Sequence, residues 1–210
     1  MHQAVRSQLN VALQLDYDLQ RQLRNDNMEY LRKIQGKNHA LGFSARFALP
    51  KSYLLLGWSY VHEGYMDVVR DDWRSFEYFD TVKYQIKRNA FKVGMGNMLM
   101  DRKVKIYMEN ALILGKWGTA YIDAFGPNGK RDKDTLSGSN KIFRTGIGLR
   151  SGINVTYPYG RLNFTVGVFS EVLLRSYWKN TTYVDALEPY PRGAYGFNFR
   201  IGYNLFRLKL

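Results

Sequence analysis

Four carboxylates and five guanidiniums sit where an alternating chain would turn them all the same way: Asp16, Asp18, Glu109 and Glu171, with Arg46, Arg144, Arg150, Arg175 and Arg200. Charges of both signs enclosed together must pair, because taking an isolated ion out of water costs several kcal/mol. They could form an ion-pair network that fills an interior, or line a polar conduit for ions or small solutes. A second grouping is His39, His62, Asp71, Asp72 and Ser75, the residue types of a hydroxyl nucleophile, its base and an orienting acid. Histidines beside acidic loop residues are ordinarily solvated polar groups, so no catalytic residue is expected. Cysteine is absent and histidine occurs three times. Disulfides, thiol nucleophiles and thiolate metal sites are therefore excluded, little remains for zinc, and no cofactor is expected. Residues 62–81 are acidic and carry Tyr65, Trp73, Phe76, Tyr78 and Phe79, a composition open to a partner surface or a divalent-cation site.

The elements that must position these groups are strands. Leu9, Val11, Leu13, Leu15, Tyr17 and Leu19 alternate with Gln8, Asn10, Ala12, Gln14, Asp16 and Asp18, the period-two pattern of a half-buried strand. The same alternation runs from Leu41 to Leu49, Leu54 to Tyr60, Phe143 to Val155, Leu162 to Leu174 and Tyr195 to Leu205. A fourth strand changes parity between Val82–Ile86 and Phe91–Met95, which a bulge near Arg88–Ala90 would reconcile. The fifth, from Val104 to about Lys116, is ambiguous in facing, so Glu109 is inward only provisionally. About eight strands result. Short joints at Leu49–Ser52, around Asp101–Arg102 and at Tyr157–Gly160 alternate with long polar segments at roughly 20–38, 62–81, 118–141 and 176–194.

At 210 residues, this is one domain, 1–210, too apolar and aromatic for disorder. A soluble β-sandwich or lipocalin-like barrel would also alternate. Three features favour a transmembrane barrel. Its strands are long enough for a tilted crossing of about 9–11 residues, against a globular norm of roughly 5–6. The polar face is rich in glycine (Gly42, Gly57, Gly146, Gly148, Gly152, Gly167, Gly202), useful where side chains crowd a narrow lumen. Tyr17, Tyr53, Trp58, Tyr60, Tyr157, Tyr159, Tyr177, Trp178 and Tyr195 collect toward strand ends, as in interfacial girdles. The expected fold is all-β: an eight-stranded antiparallel up-and-down transmembrane β-barrel with short periplasmic turns and four long extracellular loops. A mean hydropathy of −0.39 is compatible, since the polar inward face masks the apolar outward one. Asn154-Val155-Thr156 and Asn163-Phe164-Thr165 match a glycosylation sequon but lie within strands.

The closing run GAYGFNFRIGYNLFRLKL, an alternating aromatic strand, resembles the last strand of small Gram-negative outer-membrane barrels of the outer-membrane protein A and X type. Arg200, Gly202, Tyr203 and Leu205 form an Arg-x-Gly-Tyr-x-Leu pattern similar to barrels of the Bacteroidota, including the PorT-like group. The resemblance implies integral residence in a bacterial outer membrane, an export signal removed ahead of MHQAVRSQLN, and contact with lipopolysaccharide and phospholipid. It also implies a non-enzymatic, structural or accessory role, with membership of a larger assembly or secretion complex as one form. Lipid A acyltransferases and deacylases share such barrels and supply an alternative, to which His39 and His62 would belong. However, no His-x-Ser pair of the deacylase kind is present. A narrow solute pore is the third reading.

The chain carries a formal net charge of +13. The four long segments together contribute no net charge, and 62–81 is strongly acidic. The excess lies in the strands and at the short-turn end, where Arg6, Lys51, Arg102, Lys103, Lys105, Arg161, Arg207 and Lys209 face only Asp101. Such a face suits phospholipid phosphates or an acidic periplasmic protein, and nucleic acid is not an expected partner.

Overall fold

The computed structural model describes residues 8–23, 38–68, 81–125, 131–137, 145–175 and 193–209. They form nine strands: β1 (Gln8–Leu23), β2 (Asn38–Ala48), β3 (Ser52–Val68), β4 (Thr81–Asp101), β5 (Lys105–Phe125), β6 (Arg131–Ser137), β7 (Gly146–Tyr159), β8 (Leu162–Arg175) and β9 (Gly193–Lys209). All pairings are antiparallel. Each barrel strand pairs with the next, β5 with β7 across the β6 excursion, and β9 returns to β1. The barrel therefore has eight strands and no open edge.

Alternation here is inside out relative to a soluble protein. Leu15 is 56% exposed and Phe43 61%, whereas Asn154 is 1% exposed. The fully described interior faces hold Gln, Asn, Asp, Glu, Arg and Lys, with small apolar patches at Ala40, Val61, Ala90, Ala111 and Ile113 and at Tyr53, Leu55 and Tyr107. A continuous belt of exposed leucine, valine, isoleucine and phenylalanine is stable only against lipid. Tyr157, Tyr159 and Tyr203 are exposed toward the short-turn end of this belt, and Tyr17, Tyr60 and Tyr195 toward the other. Tyr53 does not belong to that girdle. It is 2% exposed, because it has the inward parity of Leu55.

The fourth strand resolves differently from its apparent change of parity. β4 stays in one-for-one register with β3 from Thr81 to Asn97, so it contains no extra residue over that span, and its one skipped residue, Leu99, lies beyond it. The irregularity is in its pairing with β5, where Lys87 faces Thr119 and Arg88 faces Trp117, leaving Gly118 as the bulged residue. Strands also continue into segments whose polarity reads as loop. β3 pairs with β4 out to Val68 and Thr81, β4 with β5 to Phe125, and β6 adds a hairpin partner to Thr119–Phe125. Because β2 leaves β3 at His39 and His62, this four-stranded extension rises past the rim on one side. Beyond the bilayer a strand needs no apolar face, which is why its sequence looked like a connection.

The opposite end closes with tight turns at Leu49–Lys51, Arg102–Val104 and Gly160–Arg161. Gly160 has φ 59°, a left-handed conformation that other residues adopt at a cost. Leu15 of β1 and Ile201 of β9 face each other on the lipid side of the closing seam. Arginine at either position should destabilise the barrel by about 2–4 kcal/mol if it lies near the bilayer midplane. Urea unfolding in lipid vesicles would measure the loss.

Candidate functional site

The lumen is built from side chains that β-alternation turns inward, and its centre is one carboxylate. Glu109 of β5 receives both terminal nitrogens of Arg200 from β9, at 2.5 Å to Oε2 and 2.8 Å to Oε1. This is the bidentate fork that makes arginine–carboxylate pairs strong. Tyr53 of β3 donates its hydroxyl to the same Oε2 at 2.6 Å, and Asn154 Nδ2 of β7 donates to it at 3.2 Å. Asn198 Nδ2 of β9 then donates to Asn154 Oδ1 at 2.9 Å. The Tyr53 ring lies where a β-carbon on Gly96 would stand, so the glycine makes room for the phenol.

Toward the long-loop end, Asp16 lies 3.6 Å from Lys92 Nζ and 3.8 Å from Arg200 Nε, and accepts from Ser44 Oγ at 3.1 Å. Arg150 bridges two acids. Its Nη1 donates to Asp18 at 2.5 Å, while Nε and Nη2 donate to Glu171 Oε2 at 3.2 and 2.9 Å. The Arg150 guanidinium also lies 3.9 Å above the centre of the Phe169 ring, and Arg88 approaches Glu171 at 4.0 Å. These groups are buried, so neither solvent nor salt screens them as it would a surface pair.

Of the charges read as inward from the sequence, Asp16, Asp18, Arg46, Glu109, Arg150, Glu171 and Arg200 all occupy the lumen, and Arg150 meets Glu171 across the β7–β8 hairpin. Arg144 lies outside the described residues, as does the side chain of Arg175. Arg46 joins no carboxylate among the described residues. Instead its guanidinium lies 4.0 Å from the centre of the Tyr53 ring and 4.6 Å from that of Tyr107. Sequence reasoning missed Arg88 and Lys92, although Lys92 has the parity opposite Phe91 and Val93 and could have been read from it. It missed the neutral partners too. Asn154 and Asn163, noted as sequon residues, turn into the lumen, where Asn163 Nδ2 donates to Asn204 Oδ1 at 2.9 Å.

At the short-turn end Lys51, Arg102, Lys103 and Arg161 are exposed, and Lys105 pairs with Asp101 at 3.2 Å. Arg161 also donates to the Tyr203 hydroxyl at 3.3 Å. Arg6 and the side chains of Arg207 and Lys209 fall outside the described residues. At the other rim His39 and His62 pair across β2–β3 with their rings edge to face, centres 5.1 Å apart. Asp71, Asp72 and Ser75, which a catalytic set would require, lie outside the described residues. Among the described residues no cluster of three or more metal-ligating side chains occurs.

The network makes a specific demand on energetics. Replacing Glu109 with alanine would strip Arg200 of its fork in a closed interior, and breaking a buried pair in this way costs about 3–5 kcal/mol. Replacing Glu109 and Arg200 together with methionine should restore most of that loss. Denaturant unfolding of the two single variants and the double variant would measure the coupling.

No family model and no curated protein matches the sequence. Solved structures do match in shape. Neisserial surface protein A is 11% identical, with 94% of this chain and 97% of that one covered and a TM-score of 0.51. A major outer membrane protein of Thermus thermophilus is 10% identical, with 93% and 99% covered and a TM-score of 0.58. At such identities the likeness is one of fold. With its closed eight-stranded meander and its lipid-facing belt, the protein has the architecture of an integral outer-membrane β-barrel.

Proposed function

We propose that the protein is a non-enzymatic, structural or accessory barrel of the outer membrane, with a plugged lumen, that serves as a docking subunit in a larger envelope assembly. The observation that carries this reading is the filled interior. Between the Glu109–Arg200 layer and the long-loop end, a void bordered by Asp18, Arg88, Lys92, Arg150 and Glu171 measures only ≈ 10 Å³. That is space for about one water molecule at most, too little for a continuous file of water or ions. A structural role also suits a lumen whose described carboxylates, Asp16, Asp18, Glu109 and Glu171, are each engaged by a cation.

The docking part of the proposal rests on the asymmetry of charge. With the short turns on the periplasmic side, Lys51, Arg102, Lys103 and Arg161 form a basic face just beyond the lipid belt. Inner-leaflet phosphates would occupy part of it, and an acidic surface on a periplasmic or neighbouring outer-membrane protein the rest. Lipopolysaccharide meets the opposite end. Kinship with the PorT-like barrels of the Bacteroidota would fit such a role, on the Arg200–Leu205 pattern alone.

Two measurements test the two halves. Purified barrel in planar bilayers should give no sustained conductance, and stable open channels would overturn the plug. Charge reversal at Lys51, Arg102, Lys103 and Arg161 should remove proteins that co-purify with the wild-type barrel in mild detergent. An unchanged set would overturn docking through this face.

A further inference from the structure

Arg46 is the exception in an otherwise paired interior. Among the described side chains, the lumen holds Arg46, Arg88, Lys92, Arg150 and Arg200 against Asp16, Asp18, Glu109 and Glu171, one cation more than acids. Arg46 is the cation that meets no described carboxylate. It is only 7% exposed, and its Nε has no hydrogen-bond partner. Tyr53 and Tyr107 hold its guanidinium by their ring faces, which fixes its position without neutralising its charge. A guanidinium held this way has no anion of its own among the described residues.

Beside Arg46 there is room for an anion. Arg46 lines a cavity of about 160 Å³ at the short-turn end, on the far side of the Glu109–Arg200 layer from the void among Asp18, Arg150 and Glu171. Lys105, whose Nζ lies 3.2 Å from Asp101, also lines this cavity, and Asn10, Thr156, Asn163 and Asn204 supply amide and hydroxyl groups. The volume is close to that of a cavity that takes up one benzene-sized molecule, and it suits one compact charged group.

We infer that this cavity is a binding site for a single oxyanion, a carboxylate or a phosphate, with Arg46 as its anchor. The guanidinium fork matches the two oxygens of either group. The surrounding basic turns raise the local concentration of anions at the mouth. Carboxylate and phosphate differ in charge and in number of oxygens, and titration with each tells them apart. The site does not depend on the docking proposal, because a small anion would bind whether or not a protein partner exists.

The full-length barrel, folded in detergent and labelled with ¹⁵N-arginine, allows a direct test. Its Arg46 Nε–H resonance, assigned by its loss in Arg46→Gln, should shift saturably on titration with inorganic phosphate or with acetate. Chloride at matched ionic strength should leave it in place. The tighter of the two anions names the class of oxyanion the site takes. Arg46→Lys keeps the charge but loses the fork, and isothermal titration of the better anion should show binding weakened several-fold. Lys105→Gln should weaken it as well. Folding of each variant is checked by the heat-dependent gel mobility of the intact barrel. If Arg46→Gln does not fold, Arg46→Lys and Lys105→Gln carry the test. No saturable shift with either oxyanion, an equal shift with chloride, or unchanged affinity in Arg46→Lys and Lys105→Gln would overturn the site.

Discussion

One carboxylate ties the barrel across its own lumen. Glu109 stands on β5, yet its bonding groups arrive from β3, β7 and β9, and two of these three strands are not its neighbours in the sheet. A closed sheet of eight strands turns every second side chain toward a space too narrow for bulk water. Each carboxylate described there finds its cation there. The geometry of Arg150, which spans Asp18 and Glu171, and of Asp16, shared between Lys92 and Arg200, follows from the same requirement.

The outward surface answers the opposite requirement. In lipid no polar group can be left without a partner, so the backbone satisfies itself strand to strand and the side chains facing out are apolar. Aqueous folding logic would bury Leu15, Phe43 and Ile201. Here they are the solvent-facing groups, with hydrocarbon as the solvent. The inside-out pattern and the negative mean hydropathy thus have one cause, since the polar face that lowers the average is the one hidden from both water and lipid.

Period-two alternation is a local signal, so the barrel strands and most of the inward charges were readable from the chain, whereas the facing of β5 was not, and the inward Arg88 and Lys92 were missed. The pairing of Arg150 with Glu171 is set by the tight turn at Gly160, which fixes the β7–β8 register. Pairings that depend on closure were not readable. Nothing local indicates that Arg200 will meet Glu109, 91 positions away, or that the Tyr53 phenol will turn inward over Gly96. Strand extension past the rim was hidden for another reason: outside the bilayer the alternation of hydropathy ceases while the alternation of hydrogen bonding continues. The solitary Arg46 could not be identified as such until its neighbours were known to be tyrosines.

The separation of partners along the chain has a kinetic meaning. Asp18 and Arg150 are 132 residues apart, and nearly the whole meander must be synthesised and paired before they can meet. Contacts of such long range are the slow ones to form. Until β9 reaches β1, the charges of the future lumen have no shared enclosure and remain hydrated. Closure is then the step at which they are dehydrated and matched together. The last seam to form therefore acts as a checkpoint, since a sheet closed in the wrong register would shut mismatched charges inside and pay for it at once.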